Sequence, residues 1–126
     1  MEHKELTEKI IGCAYQVYNR MGYGFMESVY QKCMQIELES IGLLTEIQKP
    51  IKVYYKQKMV GEFVADIVVE DTVIVELKSV NQIIVAHEIQ LVNYLVATQK
   101  PIGLILNFGP RKVEVKRKVK DLSKVK

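Results

Sequence analysis

Two runs rich in Val and Ile, FVADIVV and TVIVELK, flank the polar triplet Glu70-Asp71-Thr72, and this segment constrains the chain more than any other. Each run is apolar enough for a buried strand and the triplet is short enough for a turn, so the pair predicts a β-hairpin. Yet these runs carry Asp66, Glu76 and Lys78. Side chains alternate along a strand, so Glu76 and Lys78 project to the same side. The hairpin brings Asp66 toward Glu76. Two carboxylates and an ammonium on one sheet surface are costly to bury unless they are paired or hold a metal. Three readings stay open at this point: charges emerging into water at a strand end, a closed ion pair of Lys78 with Glu76 or Asp66, and a metal-dependent site for cleaving phosphodiesters.

The rest of the chain supplies the elements around this hairpin. Leu6, Ile10, Ala14, Val17, Tyr18 and Met21 recur at helical spacing over residues 5–21. Gly22-Tyr23-Gly24 breaks that helix, and a second is expected from about Met26 to Ser40. Strands are expected at about 44–55, 59–69 and 73–78, with Tyr55-Lys56-Gln57-Lys58 as the first turn. A third helix is expected over about 83–98, stopped before Pro101. IGLILNF, 102–108, has the continuous apolar character of a fully buried strand, and 112–119 forms the last strand after Gly109-Pro110. The order is α-α-β-β-β-α-β-β. A helix between the third and fourth strands allows a parallel crossover, so the fold class is α/β, a mixed sheet flanked by helices.

At 126 residues the size prior is a single domain, 1–126. No apolar run approaches a membrane span, and MEHKELTEK has no signal-like apolar core, so a cytoplasmic protein with no membrane partner is expected. Cys13 and Cys33 lie in separate helices and outside any CxxC spacing, which favours two small buried side chains. The net charge of +3 is uneven: residues 1–110 carry 10 Lys/Arg against 13 Asp/Glu, and residues 111–126 carry 8 against 2. Val113, Val115 and Val119 alternate with Lys112, Glu114, Lys116, Lys118 and Lys120, so the basic stretch is expected to form a half-buried strand. Its outward face would carry Lys112, Lys116 and Lys118, which could meet nucleic-acid phosphates.

Two helices present polar side chains that could join the central charges. Glu27 and Tyr30 share a face at the start of the second helix, where an acid is favoured by the helix dipole in any case. His87, Gln90 and Tyr94 form one stripe on the third, otherwise apolar helix. Such a stripe lines a site or faces solvent.

Gly24-x-x-Glu27-x-x-Tyr30, Asp66, Glu76-Leu77-Lys78, Gln90 with Tyr94-Leu95, and Asn107-Phe108-Gly109, in this order, resemble the GxxExxY family. That family is placed in the PD-(D/E)XK nuclease superfamily, and the resemblance covers nearly the whole chain. Ala65 stands where the superfamily's name has proline. The resemblance implies a restriction-endonuclease-like core of a helix, a three-stranded meander, a second helix and a further strand. It implies that Asp66, Glu76 and the Leu77 carbonyl hold Mg²⁺ or Mn²⁺, with Glu27 as an additional acidic ligand. Hard oxygen ligands of this kind suit those ions. Lys78 would orient or deprotonate the attacking water, and Gln90 and Tyr94 would position the water or a phosphate oxygen, with His87 as an assistant. The expected activity is metal-dependent hydrolysis of phosphodiesters in DNA, or in RNA. The alternative is a nucleic-acid-binding or protein-interaction module that keeps the fold without turnover. A homodimer is permitted by the edges of a small sheet.

Overall fold

The computed structural model describes residues 3–120. Its elements are α1 (Lys4–Met21), α2 (Glu27–Ser40), β1 (Thr45–Tyr55), β2 (Lys58–Val69), β3 (Val73–Lys78), α3 (Val85–Thr98), β4 (Ile102–Phe108) and β5 (Val113–Val119). The order is the one expected, with boundaries displaced by one or two residues, as helix and strand ends commonly are.

Both turns of the β1–β2–β3 meander are tight. Lys56 and Gln57 join β1 to β2 with φ of 49° and 69°, and Glu70 and Asp71 join β2 to β3 with φ of 53° and 52°. Two consecutive positive φ values match the right-handed twist of a hairpin. None of these four residues is glycine, so the second turn is held by its side chains. The Glu70 carboxylate accepts the Leu44 N–H at 2.6 Å, and Asp71 pairs with Lys100 at 2.6 Å.

The sheet order is β1-β2-β3-β4-β5, parallel only between β3 and β4, which α3 connects. Alternation along β3 and β4 divides the core. Val73, Val75 and Leu77 with Leu104, Leu106 and Phe108 pack under α1 and α2, against Ile10, Val17, Tyr30 and Met34. Ile74 and Ile105 face the other way, against Leu91 and Leu95 of α3. All seven residues of β4 are buried, which is why its sequence is a continuous apolar run. Gly103 lets α3 approach: a Cβ there would stand 2.6 Å from Leu91 Cδ1. Cys13 and Cys33 are free thiols, the first buried and the second half-buried.

The feature that positions the site is a mismatch in strand length. β2 has 12 residues and β3 has 6. Only Ile67, Val68 and Val69 of β2 pair with β3, opposite Val75, Ile74 and Val73. From Ala65 back to Lys58, β2 pairs with β1 alone, and the two form an arm that extends past the carboxyl end of β3. The arm twists where it leaves the sheet. Ile67 and Val69 pack under α1 and α2, but Ala65 packs with the α3 cluster, although strict alternation would place it with Ile67. Gln48, across from Asp66 on β1, has φ of 50° and hydrogen-bonds through its amide to Gln31 of α2.

Candidate active site

The parting of β2 from β3 at Asp66 would leave backbone amides without ladder partners, and buried amides need acceptors. The two carboxylates supply them. Glu76 Oε1 accepts the Asp66 N–H at 3.3 Å, and Asp66 Oδ2 accepts the Leu77 N–H at 2.8 Å. The two strands are thus stitched by side chains where the ladder stops. Glu76 is 7% exposed. Burial, then the nearby Asp66 charge, pushes its carboxyl up to about 8. Burial also raises Asp66, against the Leu77 N–H and Lys78, which pull it down.

Lys78 lies two residues on, half-buried, on the Glu76 face of β3. It acts on both carboxylates through its charge but closes no ion pair with either among the described residues. The ion-pair reading of the sequence therefore does not describe this structure. The charges do not simply emerge into water either, because Glu76 is buried.

Glu27 is the first residue of α2, and its field reaches Glu76 and His87. The preceding loop is clamped in place. The Tyr30 hydroxyl donates to the Gly22 carbonyl and accepts the Phe25 N–H, and its ring stacks on Phe108 at 4.2 Å. Ser79, next to Lys78, donates to the Phe25 carbonyl at 2.9 Å. The spacing of Gly24, Glu27 and Tyr30 has a local reason: Gly24 takes φ of 113°, Tyr30 anchors the loop and Glu27 is delivered to the end of β3.

α3 closes the other side. His87 Nδ1 accepts the Ile84 N–H at 3.2 Å, which caps the helix. Burial, then the Lys78 charge, lowers its pKa, so the imidazole is neutral at pH 7 and keeps its proton on Nε2. Tyr94 is 7% exposed. Burial first, then Glu76 and Asp66, raises its phenol, which remains a hydrogen-bond donor. Gln90 is exposed and shares with Tyr94 a groove of about 890 Å³ between α3 and the β1–β2 arm. Of the residues expected at the site, Asp66 and Glu76 are joined by hydrogen bonds across the strands, and Lys78 and Tyr94 lie within reach of their charges. Glu27 and His87 border them, and Gln90 stands at the rim.

Asn107, named in the sequence only as part of the Asn107-Phe108-Gly109 motif, proves to be a buried polar residue with a structural role. It is 0% exposed. Its amide accepts from Val80 N–H and donates to the Val80 carbonyl, both at 2.9 Å, and donates to Glu114 at 2.8 Å. The loop after Lys78 is thereby pinned to β4 and β5. A buried Asn at the end of an apolar strand was the available signal.

One expectation is corrected. Lys118 does not lie on a free outward face: α3 packs over that side of β5, and Lys118 pairs with Glu88 at 2.6 Å. Val119 is exposed rather than inward. Lys112 and Lys116 remain exposed, and Lys112 lies with Arg111 beside the loop that follows Lys78.

The donor set, a buried Glu76 carboxylate beside a half-buried Asp66 carboxylate, fits a divalent ion, whose charge would offset the burial and the Asp66 repulsion that raise Glu76. Among the described residues, no three His, Cys, Asp or Glu side chains form a ready ligand cluster, so backbone oxygen and solvent would complete any shell. No helix among the described residues is long and apolar enough to cross a membrane.

A mixed sheet between helices, with an acid on each of two diverging strands and a lysine two residues after the second, defines a class of fold shared by many nucleases. Residues 4–118 match the family model of the PD-(D/E)XK nuclease superfamily, and the chain belongs to that superfamily. The fold is similar to the crystal structure of SSO0001, with a TM-score of 0.61 and 17% sequence identity. That match covers 95% of this chain, which spans 60% of the length of SSO0001. No curated protein matches the chain.

Proposed function

We propose that this protein is a metal-dependent nuclease of the GxxExxY type that hydrolyses phosphodiester bonds in DNA, or in RNA. The observation that carries the reading is the buried Glu76 carboxylate bonded across the strands to the half-buried Asp66, beside Lys78, which closes no ion pair among the described residues, at the carboxyl end of β3. Ligands in α/β sheets commonly bind at that end of the strands.

In this reading Asp66, Glu76 and the Leu77 carbonyl would hold Mg²⁺ or Mn²⁺ with solvent completing the shell, and Glu27 would add a further acid at the border of the site. The ion would supply Lewis-acid polarisation of the phosphate and neutralise its charge. The chain's own groups do the rest. Lys78 orients the attacking water and faces the negative charge that develops on the phosphoryl oxygens. The protonated Tyr94 hydroxyl and the Gln90 amide donate to a phosphate oxygen and fix its approach. His87, neutral and capping α3, holds the helix end from which Gln90 and Tyr94 project. Lys112 and Lys116 would meet the backbone farther along.

The test is incubation of purified protein with single-stranded, duplex and branched DNA and RNA, with and without Mg²⁺ or Mn²⁺. Cleavage that requires the ion and disappears in Glu76→Gln supports the reading. Binding without cleavage under every condition would replace it with the non-catalytic module.

A further inference from the structure

The groove beside α3 carries chemistry that the carboxylates do not use. Because β2 runs antiparallel to β3, its residues 58–63 project past the carboxyl end of β3, and the arm they form with β1 makes the groove's outer wall. Three rings line it: Tyr54, Phe63 and Tyr94, with Phe63 and Tyr94 at 5.6 Å between centroids. Tyr54 is 59% exposed and Phe63 45% exposed. The amides of Gln90 and Asn93 face the same space, and Lys52 is the cation among its lining residues. At about 890 Å³ the groove lies within the usual range for ligand sites.

Resting on the nuclease reading, we propose that this groove receives an unpaired nucleobase of the strand being cut, so that the site acts on single strands and on frayed or flapped ends rather than within intact duplex. Three observations carry this. First, Tyr94 belongs to both places, since it feels the charges of Asp66 and Glu76 and also lines the groove, with Gln90 beside it on the groove wall. A base seated there would be continuous with a phosphate at the carboxylates. Second, exposed aromatic faces with amide donors and acceptors are what an unstacked base requires, and a base within a duplex cannot offer its faces. Third, Lys52 is the one cation among the groove's lining residues, so the groove itself suits the phosphate of a single strand rather than two backbones.

The experiment measures binding of the Lys78→Ala protein, in Mn²⁺, to a short strand carrying 2-aminopurine, as DNA and as RNA, and to the blunt duplex of the same sequence. The expected result is quenching of 2-aminopurine by stacking, with the single strand preferred. Tyr54→Ala and Phe63→Leu should each weaken single-strand binding by roughly 5–150-fold and leave duplex binding unchanged. Affinity for the single strand that neither substitution alters would overturn the proposal. So would dimerisation of the free protein that Tyr54→Ala abolishes, since the groove would then belong to a second copy. Wild-type cleavage of duplex and single strand at equal rates, unaltered by Tyr54→Ala, would sink the groove assignment and leave the nuclease reading intact. Tight, Tyr54-dependent single-strand binding without cleavage by wild type would do the opposite.

Discussion

Asp66 and Glu76 each bond to the other's strand: the Glu76 carboxylate accepts the Asp66 N–H at 3.3 Å, and the Asp66 carboxylate accepts the Leu77 N–H at 2.8 Å. The exchange takes over where the β2–β3 ladder ends, at Ile67 and Val75. It fixes two acids side by side in a place where no hydrophobic pair could satisfy the backbone. The same act that ends the ladder therefore builds the site.

Glu76 should make the metal-free protein sensitive to pH. Its folded-state carboxyl is raised to about 8 from 4.5. A raised pKa contributes stability that is fully present below the unfolded value and is lost as pH rises through the folded value. In chelator, the melting temperature should fall between pH 5 and 8, and Glu76→Gln should flatten that fall. Gln keeps an oxygen to accept the Asp66 N–H without the desolvated charge, so at pH 8 it should raise the melting temperature by several degrees, at about 4 °C per kcal/mol. A lower melting temperature for Glu76→Gln at pH 8 would count against the crowded-carboxylate reading.

Lys78 should matter for turnover and not for folding, since it closes no ion pair. Lys78→Ala should keep a cooperative melt and lower cleavage by roughly 10²–10⁴-fold. Unfolding of this variant would instead mark Lys78 as a structural partner of the acids.

Tyr30 tests the delivery of Glu27. Tyr30→Phe retains the stack on Phe108 but removes the hydroxyl that holds Gly22 and Phe25. The half-buried Gly22 carbonyl left without its donor should cost about 1 kcal/mol. Cleavage by the folded variant should also fall, because Glu27 is no longer held at the end of β3. Unchanged melting and unchanged cleavage would remove the clamp from the account.

The basic residues of β5 should separate into two groups. Neutralising Lys112 and Lys116 should weaken binding to all sequences alike and make the salt dependence shallower, by about 0.7 per lost contact on single strands. Lys118→Ala should have the smaller effect, because its ammonium is engaged by Glu88 at 2.6 Å. An equal loss from Lys118→Ala would mean that nucleic acid displaces that pair.

What the sequence disclosed was what is local in the chain. The two-residue period placed Glu76 and Lys78 on one face, and a three-residue turn placed Asp66 near them. The apolar run of β4 announced a strand buried on both faces. Non-local facts were not legible. That β2 outruns β3 and twists at Asp66 depends on its long pairing with β1, which no turn rule describes and which the whole sheet sets. That Lys118 is paired depends on α3 lying across β5, which alternation within β5 cannot reveal. Asn107 looked like the end of a strand because its three hydrogen bonds reach residues 27 and 7 positions away.

Whether Asp66 and Glu76 form a metal centre is decided by calorimetric titration of the wild-type protein and of the Asp66→Asn, Glu76→Gln double variant with Mn²⁺. Binding to wild type should tighten as pH rises toward 8 and release a proton below that pH, because the ion must displace the proton held by Glu76. The double variant should bind far more weakly and release none. Equal affinity in the two proteins, with no proton released from either, would contradict a metal centre at these residues.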